Sequence, residues 1–420
     1  MKPGRSPAEP RPHSLASPYV LAAVVLAIAY ASLYPFDLSL ERWLDAIRAG
    51  SPLRLRISGR GDFVANLLFY VPLGLAIAAR ARHARSSVVT TLAAALAGAA
   101  LSCSLECLQL ASATRSASLI DIVLNTISAA MGALLGADRL RSILPMPGIP
   151  WQGARGTRAV VLCLALWFIW HAAPFVPQLS RSGWIDALRP ALALDFEVGG
   201  IAKYVGAYLI LGTVLHVALQ RRVAMLAFLG LVALSWASRI VFVDQSLSTS
   251  EPVGAIVATA LLALLRGTST PRLATIAFSV GIGTLFLHGL DPFDFSGLVK
   301  PFQWLPFRGV MNRDLAGVLT GIAERTFIFS TLLYLAWLTP LGLRAATGFL
   351  VACVGSIELL QCLLPSRGPE ITDILLAAAC GAAVGLLVEE RQDAPKPDDA
   401  LPRRATIDAV RPGARSRRTG

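Results

Sequence analysis

ECLQLASATRSASLID, residues 106–121, returns 252 positions later as ELLQCLLPSRGPEITD, residues 358–373. Both stretches keep E-x2-Q-x5-R-x5-D, placing Glu106, Gln109, Arg115 and Asp121 against Glu358, Gln361, Arg367 and Asp373. Four such matches at one offset arise by chance on the order of once in 10⁴ at average residue usage. The spacing therefore reads as an internal duplication, and what it preserves is polar. The segments around both motifs are apolar, and a carboxylate in an apolar helix is costly unless it is paired, hydrogen-bonded or near water. Such residues mark a site.

Working outward, the whole chain is apolar. Of 420 residues 55% are hydrophobic and 15% charged, with a mean hydropathy of +0.61, whereas soluble domains sit nearer 25% charged. Apolar stretches of roughly 17–25 residues, the length that crosses a ~30 Å hydrocarbon core, recur throughout. The expected fold is all-α, a polytopic membrane helical bundle. Small-residue runs such as Ala93–Ala100 and Ala377–Gly385 suit close helix packing in lipid. The net charge of +12 sits in short loops and in the tail, as an orientation signal rather than a nucleic-acid surface. Six cysteines (Cys103, Cys107, Cys163, Cys353, Cys362, Cys380) lie within apolar segments without a CxxC pair and read as small buried hydrophobes. His171, His216 and His288 are scattered, so no metal site and no cofactor is expected.

Twelve apolar segments stand out, at about 19–34, 62–80, 87–111, 119–137, 158–176, 199–219, 223–243, 252–266, 273–290, 319–340, 345–364 and 370–388. They group as three sets of four transmembrane helices, each set opening with a segment that ends in Pro-Phe: Pro35-Phe36, Pro174-Phe175 and Pro292-Phe293. The expected layout is an N-terminal arm (1–18), a first repeat (19–140), a linker (141–156), a degenerate second repeat (157–268), a third repeat (269–390) and a disordered cytoplasmic tail (391–420). Pro72-Leu73-Gly74, Ile210-Leu211-Gly212 and Pro340-Leu341-Gly342 align the second helices, which matches Asp62 and Asn66 of the first repeat with Ser330 and Tyr334 of the third. The middle repeat has Arg239, Phe242, Ser248 and Gly254 where the outer ones carry Glu, Gln, Arg and Asp, so its chemistry reads as lost. Arg239 is expected to snorkel or to pair with Asp244, and Lys203 and Glu197, six apart, to do the same.

Even-numbered loops plus both termini hold 23 Lys and Arg, the odd-numbered loops 12. Both termini are accordingly expected in the cytoplasm, the Pro-Phe corners outside, and the first segment uncleaved. Leu40–Ile57 is expected to lie along the outer interface.

In the first repeat, Asp62 and Asn66 share one helix face, Glu106 and Gln109 another, and Asp121 and Asn125 a third, with Arg115 on the loop between the last two helices. All seven are candidate ligand-binding residues; Glu358, Gln361, Arg367 and Asp373 are secondary candidates. One reading is a polar network that fastens the bundle. The other is a water-accessible pocket at the outer leaflet in which Arg115 holds an anionic group. No catalytic motif is present, so catalytic residues are unassigned.

Tyr34-Pro-Phe-Asp37, Asp62-x3-Asn66 running into Pro72-Leu-Gly74, Glu106-x2-Gln109, and Arg115-x5-Asp121-x3-Asn125 followed by Gly132 and Gly136 resemble the VanZ-like family of bacterial integral membrane proteins, named for a member associated with teicoplanin resistance. The resemblance covers residues 34–137 well and 291–388 in part. It implies an envelope role: binding or handling a lipid-linked precursor, a glycan or a glycopeptide antibiotic at the outer face of the inner membrane. A transporter of a small polar or envelope-related solute, a membrane-embedded enzyme acting on a lipid headgroup and a scaffold are the alternatives. Membrane lipids are the expected partners and nucleic acid is not; the sequence leaves the oligomeric state open.

Overall fold

The computed structural model describes residues 18–50, 66–67, 69–81, 87–136, 157–295, 297, 299–311 and 315–389. Asp62, the 141–156 linker, the arm and the 391–420 tail lie outside the described residues. What is described is helical, and β pairing among these residues is limited to isolated bridges.

The first group comprises α1 (Pro18–Leu33), α2 (Leu40–Arg48), α3 (Val71–Ala81), α4 (Ser87–Gln109) and α5 (Leu119–Leu135). The middle group comprises α6 (Thr157–Ala172), α7 (Arg181–Leu192), α8 (Val198–Ala218), α9 (Arg221–Val241) and α10 (Ser250–Leu264). The last comprises α11 (Thr270–Leu290), the single turn α12 (Arg308–Met311), α13 (Leu315–Trp337), α14 (Leu343–Gln361) and α15 (Thr372–Glu389). Within the described residues, every apolar segment of the sequence contains a helix. Six of them (α4, α8, α9, α11, α13 from Gly317, and α14) are long and apolar enough to cross a membrane; the other six apolar helices are shorter. Leucines on the outer surface, including Leu26, Leu96, Leu226 and Leu264, are exposed. A chain that leaves such side chains outward while burying its charges is built for a hydrocarbon solvent. α2 is short and exposed, with Trp43 Nε1 donating to Cys107 O at 3.1 Å.

Within the first group α3, α4 and α5 pack tightly because glycine faces backbone. A Cβ on Gly74 would overlap Ala129 O and sit 2.7 Å from Ala133 N, and one on Gly132 would sit 2.9 Å from the Val71 carbonyl carbon. Pro72-Leu73-Gly74 therefore lies inside a helix, whereas Pro340-Leu341-Gly342 forms the turn before α14, with Gly342 at φ +72°. Equating the two was an error: in one the glycine lets helices approach, in the other it lets the chain reverse. Ser330 and Tyr334 lie buried in α13, and the α13 residue that meets Asp373 is Arg325.

The middle and last groups interlock. α8 packs on α11 and α13 on α6, around Trp167, Trp170, Tyr208 and Phe327. The first group joins them through Tyr30, whose hydroxyl donates to Pro306 O at 2.6 Å. All three Pro-Phe corners gather at one end of the bundle. Each has a cis X-Pro bond, a Phe with φ near +65° (Phe36 68°, Phe175 63°, Phe293 62°) and a Phe N–H donating back to the helix at 2.7–2.8 Å.

Candidate functional site

At the corner end, α4, α9 and α14 are tied to the starts of α5, α10 and α15 and to the corners after α1, α6 and α11. In the first group Glu106 Oε2 accepts from Ser118 N–H at 2.7 Å, Gln109 Nε2 donates to Ser32 O at 2.8 Å, and Arg115 Nε donates to Tyr34 O at 2.9 Å. The last group repeats this. Glu358 Oε2 accepts from Glu370 N–H at 2.7 Å, Gln361 Nε2 donates to Gly289 O at 2.9 Å, and Arg367 Nε donates to Asp291 O at 2.9 Å. The polar pattern thus encodes a clamp: a carboxylate takes a backbone N–H at a helix start, and an amide and a guanidinium take backbone carbonyls at a helix end. Those backbone groups have no partner within their own helices.

Glu106 bonds the Ser118 backbone and not the side chains of Arg115, Gln109 or Asn125. Asn125 Nδ2 instead donates to Ser102 Oγ at 2.9 Å, on the facing helix. Asp121 is half-buried in the first turn of α5, where its charge meets the helix N-terminus. Asn66 is half-buried. Sequence reasoning missed two loop organisers. Asp37 accepts from Ser112 Oγ at 2.5 Å and from Ala113 N–H at 3.0 Å, and Ser112 Oγ accepts from the N–H groups of Thr114 and Arg115 at 3.2 and 3.0 Å. The Ser112 hydrogen bond, first among several, holds the exposed Asp37 carboxyl below its ordinary range.

The two arginines differ. Arg367 also donates through Nη2 to His288 O at 2.9 Å, and Lys300 Nζ donates to Arg367 O at 2.9 Å. Arg115 is exposed and among the described residues bonds through Nε and its backbone N–H alone, leaving both terminal amino groups for another partner.

The middle group keeps the clamp with its charges inverted. Arg239 stands where Glu106 and Glu358 stand, and twelve residues on, where the others have Ser118 and Glu370, it has Glu251. Arg239 Nε donates to Glu251 Oε2 at 3.1 Å. Arg239 Nη1 donates to Gln245 Oε1, and Gln245 Nε2 donates to Ala173 O at 2.5 Å, so Gln245 takes the corner carbonyl that Arg115 takes elsewhere. Reading this group as stripped of chemistry was wrong: a lone Arg in an apolar helix implies a hidden acid, and the acid is Glu251 rather than Asp244. Glu251 is fully buried, accepts from Tyr208 OH at 3.0 Å and lies 3.4 Å from His171 Nε2, while His171 Nδ1 is 2.9 Å from Trp167 O. Lys203 pairs with Glu324 of α13 at 3.1 Å rather than with Glu197, bridging the middle and last groups. Arg325 Nε pairs with Asp373 at 2.8–2.9 Å. Among the described residues no group of three His, Cys, Asp or Glu is placed to hold a metal ion.

A family model described as VanZ/LLP1 matches residues 18–139. No curated protein and no solved structure matches the chain. The matched segment holds α1 to α5 and the whole first clamp, with its Pro-Phe corner, Glu106, Gln109, Arg115 and Asp121. Residues 18–139 are a VanZ-type domain, and the chain that carries them is an all-helical, multi-pass membrane protein.

Proposed function

We propose that this protein binds an anionic group of a cell-envelope component, a lipid-linked precursor, a glycan or a glycopeptide antibiotic, at the outer face of the inner membrane, with Arg115 as the contact. The observation that carries this reading is the state of Arg115. Its Nε is fixed on Tyr34 O at 2.9 Å while, among the described residues, its terminal amino groups have no partner at the exposed end of the bundle. A guanidinium positioned in advance with both terminal amino groups available suits a phosphate or carboxylate, which it can take bidentately. Around it, Glu106 and Gln109 act as positioning residues that hold the loop carrying Arg115. The proposed layout has twelve spans in three four-helix units related by duplication, both termini cytoplasmic, and the clamps outward.

The test is complementation. A strain lacking the protein is screened against teicoplanin-type glycopeptides and other envelope stresses, then complemented with the wild type, Arg115→Gln or Arg367→Gln at matched protein levels. Arg115→Gln is expected to lose the phenotype, while Arg367→Gln, whose guanidinium is already consumed by His288 and Asp291 carbonyls, is expected to be milder. Full complementation by Arg115→Gln would defeat the proposal. A transport reading draws support from one observation, the line of buried charges from Glu251 through Arg239 to Lys203 and Glu324, since such groups accompany ion pathways. Uptake of a labelled envelope solute abolished by Glu251→Gln would favour it.

A further inference from the structure

At the end of the bundle away from the corners, the middle group and α11 enclose a cavity of about 570 Å³. Its walls are apolar, with Phe228 and Met225 from α9, Leu262 and Leu265 from the end of α10, and Leu273 from α11. Its polar lining is of one sign: Arg221 and Arg222 at the start of α9, Arg266 after α10, and His216 near the end of α8. Among the described residues no acidic side chain lines it and none of the three arginines forms an ion pair. All three are exposed, so the guanidiniums stand at the mouth while the leucines and Phe228 form the depth.

Loop arginines alone would be an orientation signal and nothing more. An orientation signal, however, needs no cavity beneath it. Here the basic mouth opens on a volume within the range of ordinary ligand pockets, roughly 300–1,000 Å³. A free phosphate would satisfy the arginines and leave the apolar walls unfilled. An uncharged acyl chain would fill the walls and leave three cations without a counter-charge. The occupant that satisfies both is an anionic amphiphile with its charge at the level of the helix ends. Leu226, which lines the cavity, is itself exposed, as is Leu264 next to the lining Leu265, which gives the occupant an apolar approach from the bilayer.

We propose that this cavity binds an anionic phospholipid of the leaflet opposite the Pro-Phe corners, its headgroup phosphate held by Arg221, Arg222 and Arg266 and its acyl chain lying along Phe228, Leu262 and Leu265. Basic pockets between membrane helices hold lipid headgroups by this combination of charge and apolar wall. The lipid would wedge α8, α9, α10 and α11 together at the end where no polar clamp holds them.

The experiment uses the full chain, purified in detergent and delipidated, then titrated with phosphatidylglycerol or with phosphatidylcholine of the same acyl chains. Bound lipid is counted by native mass spectrometry and thermal unfolding is followed alongside. Phosphatidylglycerol is expected to bind with a stoichiometry of one and to raise the unfolding temperature, and phosphatidylcholine to do neither. In Arg221→Gln/Arg222→Gln/Arg266→Gln, affinity is expected to fall on the order of 10²-fold, because each basic group near an anionic headgroup contributes about fivefold. Arg42→Gln/Arg48→Gln, which removes charge from α2 at the other end, is expected to bind as the wild type does. Leu265→Trp, which fills the cavity and spares the arginines, keeps the test informative if the triple variant fails to fold; it is expected to weaken binding at least tenfold. Equal binding of the two lipids, retention of phosphatidylglycerol affinity in Leu265→Trp, or equal stabilisation by inorganic phosphate alone would overturn the proposal, the last by showing an ion site rather than a lipid site.

Discussion

Removing Arg239 tests the inverted clamp most directly. Glu251 is fully buried and has three polar neighbours: Arg239 Nε at 3.1 Å, Tyr208 OH at 3.0 Å and His171 Nε2 at 3.4 Å. Arg239→Met keeps the length of the side chain and its packing against Trp170, over whose ring the guanidinium carbon sits at 5.8 Å, but deletes the positive charge. The carboxylate is then left buried without its cation, and breaking a buried pair from one side costs about 3–5 kcal/mol. In the double variant with Glu251→Gln the stranded charge is gone. What stays uncompensated is the Gln245 carbonyl oxygen that Arg239 Nη1 had served, about 1–3 kcal/mol. The double variant should therefore be roughly 2 kcal/mol less destabilised than Arg239→Met alone, so the two changes are not additive. In a thermal melt of the detergent-solubilised protein, Arg239→Met is expected to lower the midpoint by roughly 5–15 °C and the double variant to recover about half of that. A double variant as unstable as the sum of the two single ones would refute the pairing. A single variant within about 2 °C of wild type would show that Glu251 is satisfied without Arg239.

Gly74→Ala drives a methyl group into the Ala129 carbonyl and should cost about 1–3 kcal/mol, read as a lowered melting midpoint and reduced accumulation; an unchanged midpoint would mean α3 and α5 cross elsewhere. Glu106→Gln retains an oxygen to accept from Ser118 N–H and so still positions the loop that carries Arg115, so the protein should accumulate near wild-type levels and keep the phenotype defined by complementation; a stable variant that loses the phenotype would show that the Glu106 charge itself acts in the site. Reporter fusions after Ala113 and after Thr419 should lie in opposite compartments, and a shared compartment would refute both the orientation and the span count.

The sequence by itself determined the solvent, the secondary structure and the clamp residues. A chain with 15% charged residues and apolar runs of bilayer length has to close its backbone hydrogen bonds within each segment, so helices follow without reference to tertiary contacts. The recurring Glu, Gln, Arg and Asp were legible because each sits at a fixed distance along the chain from a helix end whose backbone groups need a partner. Spacing could not reveal which partner each takes. Glu106 reaches the Ser118 backbone rather than Arg115, and Gln109 and Arg115 reach carbonyls of a corner some 80 residues upstream, because α1 folds back against the loop between α4 and α5. The inverted clamp was hidden for the same reason: Arg239 and Glu251 are as uninformative singly as any two charges until the turn between α9 and α10 brings them to 3.1 Å. Lys203 shows the limit most clearly. Its nearest acid in sequence is Glu197, yet it pairs with Glu324, 121 residues away, because α8 and α13 pack in the shared core of two groups. Desolvation selects the partner that packing delivers, and packing is a property of the assembled helices rather than of any one of them.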